Sequence, residues 1–109
     1  MNSNNNKKKI TFYSRFEADI LAKKKTITIR NHRESHFQSG DIVDVSRYED
    51  HQYFCTIEIK NITPTKLDQL TEQHAQQENM SLEQLVEIIT KIYPNQTDFF
   101  VIEFTVIEQ

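Results

Sequence analysis

The stretch FFVIEFTVI, residues 99–107, is apolar on both sides of the chain. With the two-residue period of a strand, Phe100, Ile102, Phe104 and Val106 share one face and Val101, Thr105 and Ile107 the other. A strand with one wet face alternates apolar and polar residues, so a run that is apolar on both faces needs cover on both. It is expected to be a central strand, around which the other elements arrange themselves.

Working outward, DIVDVSRYED and YFCTIEIKNI, joined at HQ, read as a hairpin, and KITFY (residues 9–13) as a first short strand. In KKKTITIR (residues 23–30), Thr26, Thr28 and Arg30 alternate with Ile27 and Ile29, the pattern of a half-buried strand. Three helices are expected between these runs. SRFEADILA pairs Ser14 with Glu17 as a capping box, with Phe16 and Ile20 on one face, and must stop before TITIR. TPTKLDQLTEQHAQQENM has cap spacing at Thr65 and Asp68. Ser81 and Gln84 open a third helix whose Leu82, Leu85, Val86, Ile89 and Ile92 follow a period near 3.6, and YPNQ ends it. Separated strands with inserted helices predict an α+β fold, a small mixed sheet or barrel. Gly40 is the only glycine, so any other positive φ must fall on residues such as Asn31, Asn61, Asn79 or Asn95.

The bulk composition narrows the function classes. A chain of 109 residues, 37% hydrophobic and 27% charged, is expected to bury one core, with residues 1–9 a disordered polar tail and 10–109 a single domain. No apolar run is long enough to span a bilayer, and MNSNNNKKK lacks the apolar segment of a secretory signal. The single cysteine, Cys55, shares its parity with Tyr53, Ile57 and Ile59, which reads as a buried structural thiol and fits a reducing cytoplasm. A net charge of −3 argues against a grip on long nucleic acid and favours a small ligand, although the clusters at Lys7–Lys9 and Lys23–Lys25 leave a short RNA open. The domain is taken to act as a monomer.

The strong mechanistic motifs are absent, and no cofactor is expected. His32, Glu34 and His36 have spacing suited to a metal only on a helix, whereas RNHRESHFQSG follows a strand and reads as a loop; no metal site is expected. His51 falls in the hairpin turn, exposed. Leu67, Leu70, His74 and Glu78 lie on one stripe if the second helix is continuous. Glu78 then has two readings: a frayed, solvated helix end, or a core-facing carboxyl with a raised pKa suited to proton donation. Should it reach Thr28, a hydroxyl, an amine and a carboxyl would converge, the groups amide hydrolysis needs. Lys25 and Thr28 differ in parity, so they meet only if Lys25 sits in the turn before the strand.

Taken together, ITFYSRFEADILAKKKTITIR, SHFQSGDIVDVSRYED, YFCTIEI, LTEQHAQQENMSLEQL and IYPNQTDFFVIEF resemble the small bacterial N(4)-acetylcytidine amidohydrolases of the ASCH domain superfamily. The resemblance implies a small mixed β-barrel of the PUA-like type with inserted helices. It also implies hydrolysis of N(4)-acetylcytidine, and of the related base and deoxynucleoside, to the deacetylated product and acetate. Carried over residue by residue, it makes Lys25 the proton acceptor, Thr28 the nucleophile and Glu78 the proton donor, with the Lys25 amine within reach of the Thr28 hydroxyl. Arg30, on the face of Thr28, is expected to contact the substrate or the oxyanion, or else to form a structural salt bridge. An RNA-binding or RNA-processing module reading acetylated cytidine is the competing implication. Relatives often carry glycine where this chain has Lys23; in the left-handed region a lysine costs roughly 1 kcal/mol.

Overall fold

The computed structural model describes residues 8–109. Five strands form one mixed sheet: β1 (Lys8–Phe12), β2 (Ile27–Arg30), β3 (Ile42–Arg47), β4 (Tyr53–Lys66) and β5 (Asp98–Glu108). Their order is β1-β3-β4-β5-β2, with β1 parallel to β3 and every other pairing antiparallel. The sheet curls into a half-barrel of the expected α+β class. Among the described residues three α-helices accompany it: α1 (Glu17–Leu21), α2 (Glu72–Gln77) and α3 (Leu82–Ile92). β1 begins at Lys8, inside the stretch read as a tail; the rest of that reading, residues 1–7, lies outside the described residues.

Over residues 100–103 β5 has a partner on each side, and Phe99, Val101, Ile102 and Phe104 bury its two faces as FFVIEFTVI predicts, whereas Thr105 and Ile107, beyond β2, are exposed. Ile102 and Phe104 enter the core inside the curl with Ile10, Phe12, Val45 and Ile57, while Phe99 and Val101 pack beneath Leu85 and Ile89 of α3. At about 25 cal/mol per Å² of apolar surface, each such side chain contributes roughly 1.5–3 kcal/mol. β1 and β2 are the edges of the sheet. Across the gap between them Arg30 Nη2 donates to the Thr11 carbonyl (2.8 Å), so one side chain bridges the two edges.

Two expected caps are not used. Ser14 opens a 3-10 turn before α1, and its N–H and hydroxyl donate to the Glu49 carboxylate (2.9 and 3.1 Å) instead of meeting Glu17, which pairs with Arg47. A charged acceptor brought by the β3–β4 connection outcompetes the local box. Thr65 does not start a helix either: β4 stays paired with β5 as far as Lys66, followed by a 3-10 turn at Leu67–Gln69. α2 starts after Thr71, whose N–H donates to His74 Nδ1 (3.0 Å). Ser81 and Gln84 form both halves of their box, as expected.

Positive φ angles fall on Asn79 (59°) and Asn95 (66°), two of the four asparagines expected, and also on Lys23 (65°) and His51 (60°). Asn31 is extended and instead caps the turn at His32–Glu34. Cys55 is fully buried, and burial raises its thiol to about 11, as a structural cysteine requires.

Candidate active site

Lys25, Thr28 and Glu78 line one cavity of about 160 Å³. Two helix ends and one strand bring them there. α1 stops in a Schellman turn: Lys23 N–H donates to the Ile20 carbonyl (3.1 Å) and Lys24 N–H to the Asp19 carbonyl (2.9 Å), with Lys23 left-handed. Lys25 follows, before β2 begins at Ile27, which is the position the parity argument demands. α2 ends in the same way, with Asn79 N–H on the Gln76 carbonyl and Met80 N–H on the Ala75 carbonyl (3.0 Å each). Glu78 is the C-cap of α2, and the Thr26 N–H ties the two turns together by donating to the Gln77 carbonyl (2.8 Å).

Of the two readings of Glu78, the frayed end is wrong: its exposure is 5%, and its carboxylate is paired with the Lys25 ammonium, itself 3% exposed. The stripe that led there was not one helix, since Leu67 and Leu70 precede α2; Glu78 shares its face with Ala75. On β2, Ile27 and Ile29 pack under α3, which turns Thr28 and Arg30 to the opposite side, along the cavity.

The hydrogen bonding differs from the expected arrangement in one respect. Lys25 Nζ donates to Glu78 Oε1 and to the Ile27 carbonyl (2.9 Å), and no hydrogen bond joins it to Thr28 among the described residues. A buried ammonium has to satisfy its donors with the strongest acceptors nearby, and a carboxylate exceeds a hydroxyl. The Thr28 Oγ1 accepts from Arg30 Nε (2.8 Å). Phe12 lies between the two cations, its centroid 5.5 Å from Lys25 Nζ and 4.9 Å from Arg30 Cζ, with Phe16 5.0 Å from Lys25 Nζ. Such contacts give cations a favourable electrostatic neighbour without a neutralising charge.

Burial lowers the Lys25 pKa below its ordinary value; the Glu78 carboxylate opposes this, the Arg30 charge reinforces it, and the net direction is down. Arg30 is lowered as well, chiefly by burial. Lys23 and Lys24 are exposed, so the positive charge acting on Lys25 comes from Arg30.

Sequence reasoning missed Tyr93 in the cavity and weighed Glu34 there only as a metal ligand. Tyr93, the C-cap of α3, points its hydroxyl at Glu34, whose Oε1 accepts it. Burial and then that carboxylate push the Tyr93 pKa upward. A tyrosine ending an apolar helical stripe is the signal available in the sequence, since its buried hydroxyl needs a partner. His32 and His36 lie by the rings of Phe100 and Phe37, and no cluster of metal ligands occurs among the described residues.

The model of the ASCH domain matches residues 6–108. An N(4)-acetylcytidine amidohydrolase of Haemophilus influenzae strain PittEE is 61% identical over 98 residues, 90% of this chain and 94% of that protein. The protein of the same name from strain KW20 / Rd is 59% identical over 99 residues, 91% of this chain and 80% of that one. Among solved structures, the ASCH domain of Lactobacillus crispatus superposes with a TM-score of 0.79 at 17% identity, covering 94% of this chain and 81% of its own. An ASCH protein of Zymomonas mobilis gives 0.71 at 13%, covering 90% and 68%. Those two likenesses concern the fold alone.

Proposed function

The chain belongs to the ASCH domain family, and from that premise we propose that it hydrolyses the amide of N(4)-acetylcytidine, and of the corresponding base and deoxynucleoside, to release acetate. The relatives named above carry that activity in their names. The observation that carries the reading is the buried Lys25–Glu78 pair lining one cavity with Thr28.

The roles follow from where one proton sits. An ammonium beside a carboxylate and an amine beside a carboxylic acid hold the same number of protons, so the Lys25–Glu78 ion pair and its neutral tautomer interconvert without exchange with solvent. Burial lowers the Lys25 pKa, which eases passage from the ion pair to the neutral form. In that form Lys25 removes the Thr28 proton as Oγ attacks the acetyl carbon, and Glu78 gives its proton to the cytosine nitrogen as the C–N bond breaks. The acetyl group is now on Thr28 and the pair is ionic. Water then attacks the ester, giving one proton to the Glu78 carboxylate and keeping the other on the acetyl product, while the Lys25 ammonium returns a proton to Thr28 Oγ as acetic acid leaves and ionises to acetate in solvent. The cycle closes on the neutral pair.

Arg30 serves Thr28 in this scheme. Its charge, 2.8 Å away through Nε, stabilises the developing alkoxide, and its remaining N–H groups are the candidate donors to the oxyanion. The test is acetate release from N(4)-acetylcytidine by the purified protein. Absence of acetate, together with tight, salt-sensitive binding of acetylated RNA, would replace this reading with the RNA-module one.

A further inference from the structure

One carboxylate of the cavity has no part in this chemistry. Glu34 lies in the turn after β2, four residues past Arg30, and that turn is closed by its own N–H donating to the Asn31 carbonyl (3.1 Å) and the Asn31 side chain (3.2 Å). Its Oε1 is held by the Tyr93 hydroxyl, and the Tyr93 ring rests against Phe99 at 5.5 Å between centroids. An exposed glutamate ordinarily samples many rotamers; this one is anchored at both its backbone and its carboxylate, leaving Oε2 to accept from a ligand. It lines the same cavity as Arg30, and its charge acts on that guanidinium against the effect of burial.

We propose that Glu34, positioned by Tyr93, is a selectivity residue that admits a neutral nucleoside and rejects its phosphorylated forms. The proposal rests on the acetylcytidine reading above. Without Glu34, the cavity would present Arg30, a guanidinium suited to binding phosphate. With Glu34 beside it, that charge is offset: a ribose hydroxyl finds an acceptor, and a phosphate finds a fixed negative charge.

The test compares kcat/KM for N(4)-acetylcytidine and for its 5′-monophosphate in the wild-type protein, Glu34→Gln and Tyr93→Phe. Wild type is expected to favour the nucleoside. Glu34→Gln should raise the nucleotide-to-nucleoside ratio about three- to tenfold, the effect of removing one charge a few ångströms from a phosphate at a solvated site. The change should appear in KM and fade at 1 M salt, where the screening length is about 3 Å. Tyr93→Phe keeps the charge but frees the side chain, and should raise the ratio about twofold. A ratio unmoved in Glu34→Gln, or moved through kcat alone, overturns the selectivity role. If wild type hydrolyses neither compound, the acetylcytidine reading falls and takes this one with it; hydrolysis with an unmoved ratio removes the selectivity role alone.

Discussion

Thr28 is the residue on which the proposed chemistry turns. Thr28→Val keeps the strand-favouring β-branch and removes the hydroxyl, so turnover should fall on the order of 10⁴-fold or more. Because Arg30 Nε then loses its acceptor, a stability loss of about 1–3 kcal/mol is expected, with the fold kept. Thr28→Ser restores the attacking oxygen and should recover part of the rate; equal activity in Thr28→Val and wild type would remove Thr28 from the mechanism. Lys25 and Glu78 call for a different test, since each neutralises the other's buried charge. Lys25→Met alone strands a carboxylate and should cost about 3–5 kcal/mol, whereas Lys25→Met with Glu78→Leu should recover most of that in denaturant titrations. The pair also sets the pH dependence of the rate. Its active form carries one proton, so the rate should fall on the acid side as a second proton is added and on the alkaline side as the last is lost. Since burial lowers Lys25 even beside the Glu78 carboxylate, the last proton is lost, and the alkaline limb falls, below the ordinary lysine value. A rate that is flat from mildly acidic to strongly basic pH would contradict the assignment.

At the scale of elements, two Schellman turns aim the site, and neither uses glycine. Lys23 at φ 65° holds a left-handed conformation its Cβ opposes, while Lys25, two residues on, depends on that turn. Lys23→Gly should therefore raise stability by about 0.5–1 kcal/mol and Tm by a few degrees, and Lys23→Ala, which keeps the Cβ, should not. Calorimetry showing the same Tm for both would mean that the turn carries no strain. Caps were readable where both partners lie within one local segment, as with Ser81 and Gln84. They were misread where a distant charge intervened, as Glu49 does at Ser14, or where a sheet ladder extended through the segment, as β4 does through Thr65. Beyond Glu58, β4 has no β3 partner, which is why Pro64 is tolerated in the strand.

For the molecule as a whole, a net charge of −3 argues against a grip on long nucleic acid. If the proposed ligand is a nucleoside held in the cavity of Lys25, Thr28 and Glu78, its binding should be nearly independent of salt. Titrating N(4)-acetylcytidine and a short acetylated RNA at 50 and 200 mM salt separates the two cases, because phosphate contacts weaken steeply over that range. Affinity for the nucleoside that fell several-fold would argue that the ligand carries phosphates. Among the described residues, no helix is long and apolar enough to cross a membrane.

Period and caps are local properties of the chain, so they were enough to locate the strand runs and the boxed start of α3, but not the extension of β4 through Thr65. Parity put Thr28 on the face away from Ile27 and Ile29 without tertiary knowledge, and left the place of Lys25 in the turn before β2 as a condition that the fold then met. The resemblance, not the spacing, assigned their roles. The burial of Glu78 and its meeting with Lys25, 53 residues away in the chain, came from packing between elements. The tertiary structure alone decided that Arg30, rather than Lys25, reaches the Thr28 hydroxyl, and that Tyr93 holds Glu34. The physical reason is common to these cases. Where a polar side chain goes is set by the partner that will satisfy it once water is removed, and that partner is chosen by packing between elements that the local pattern does not record.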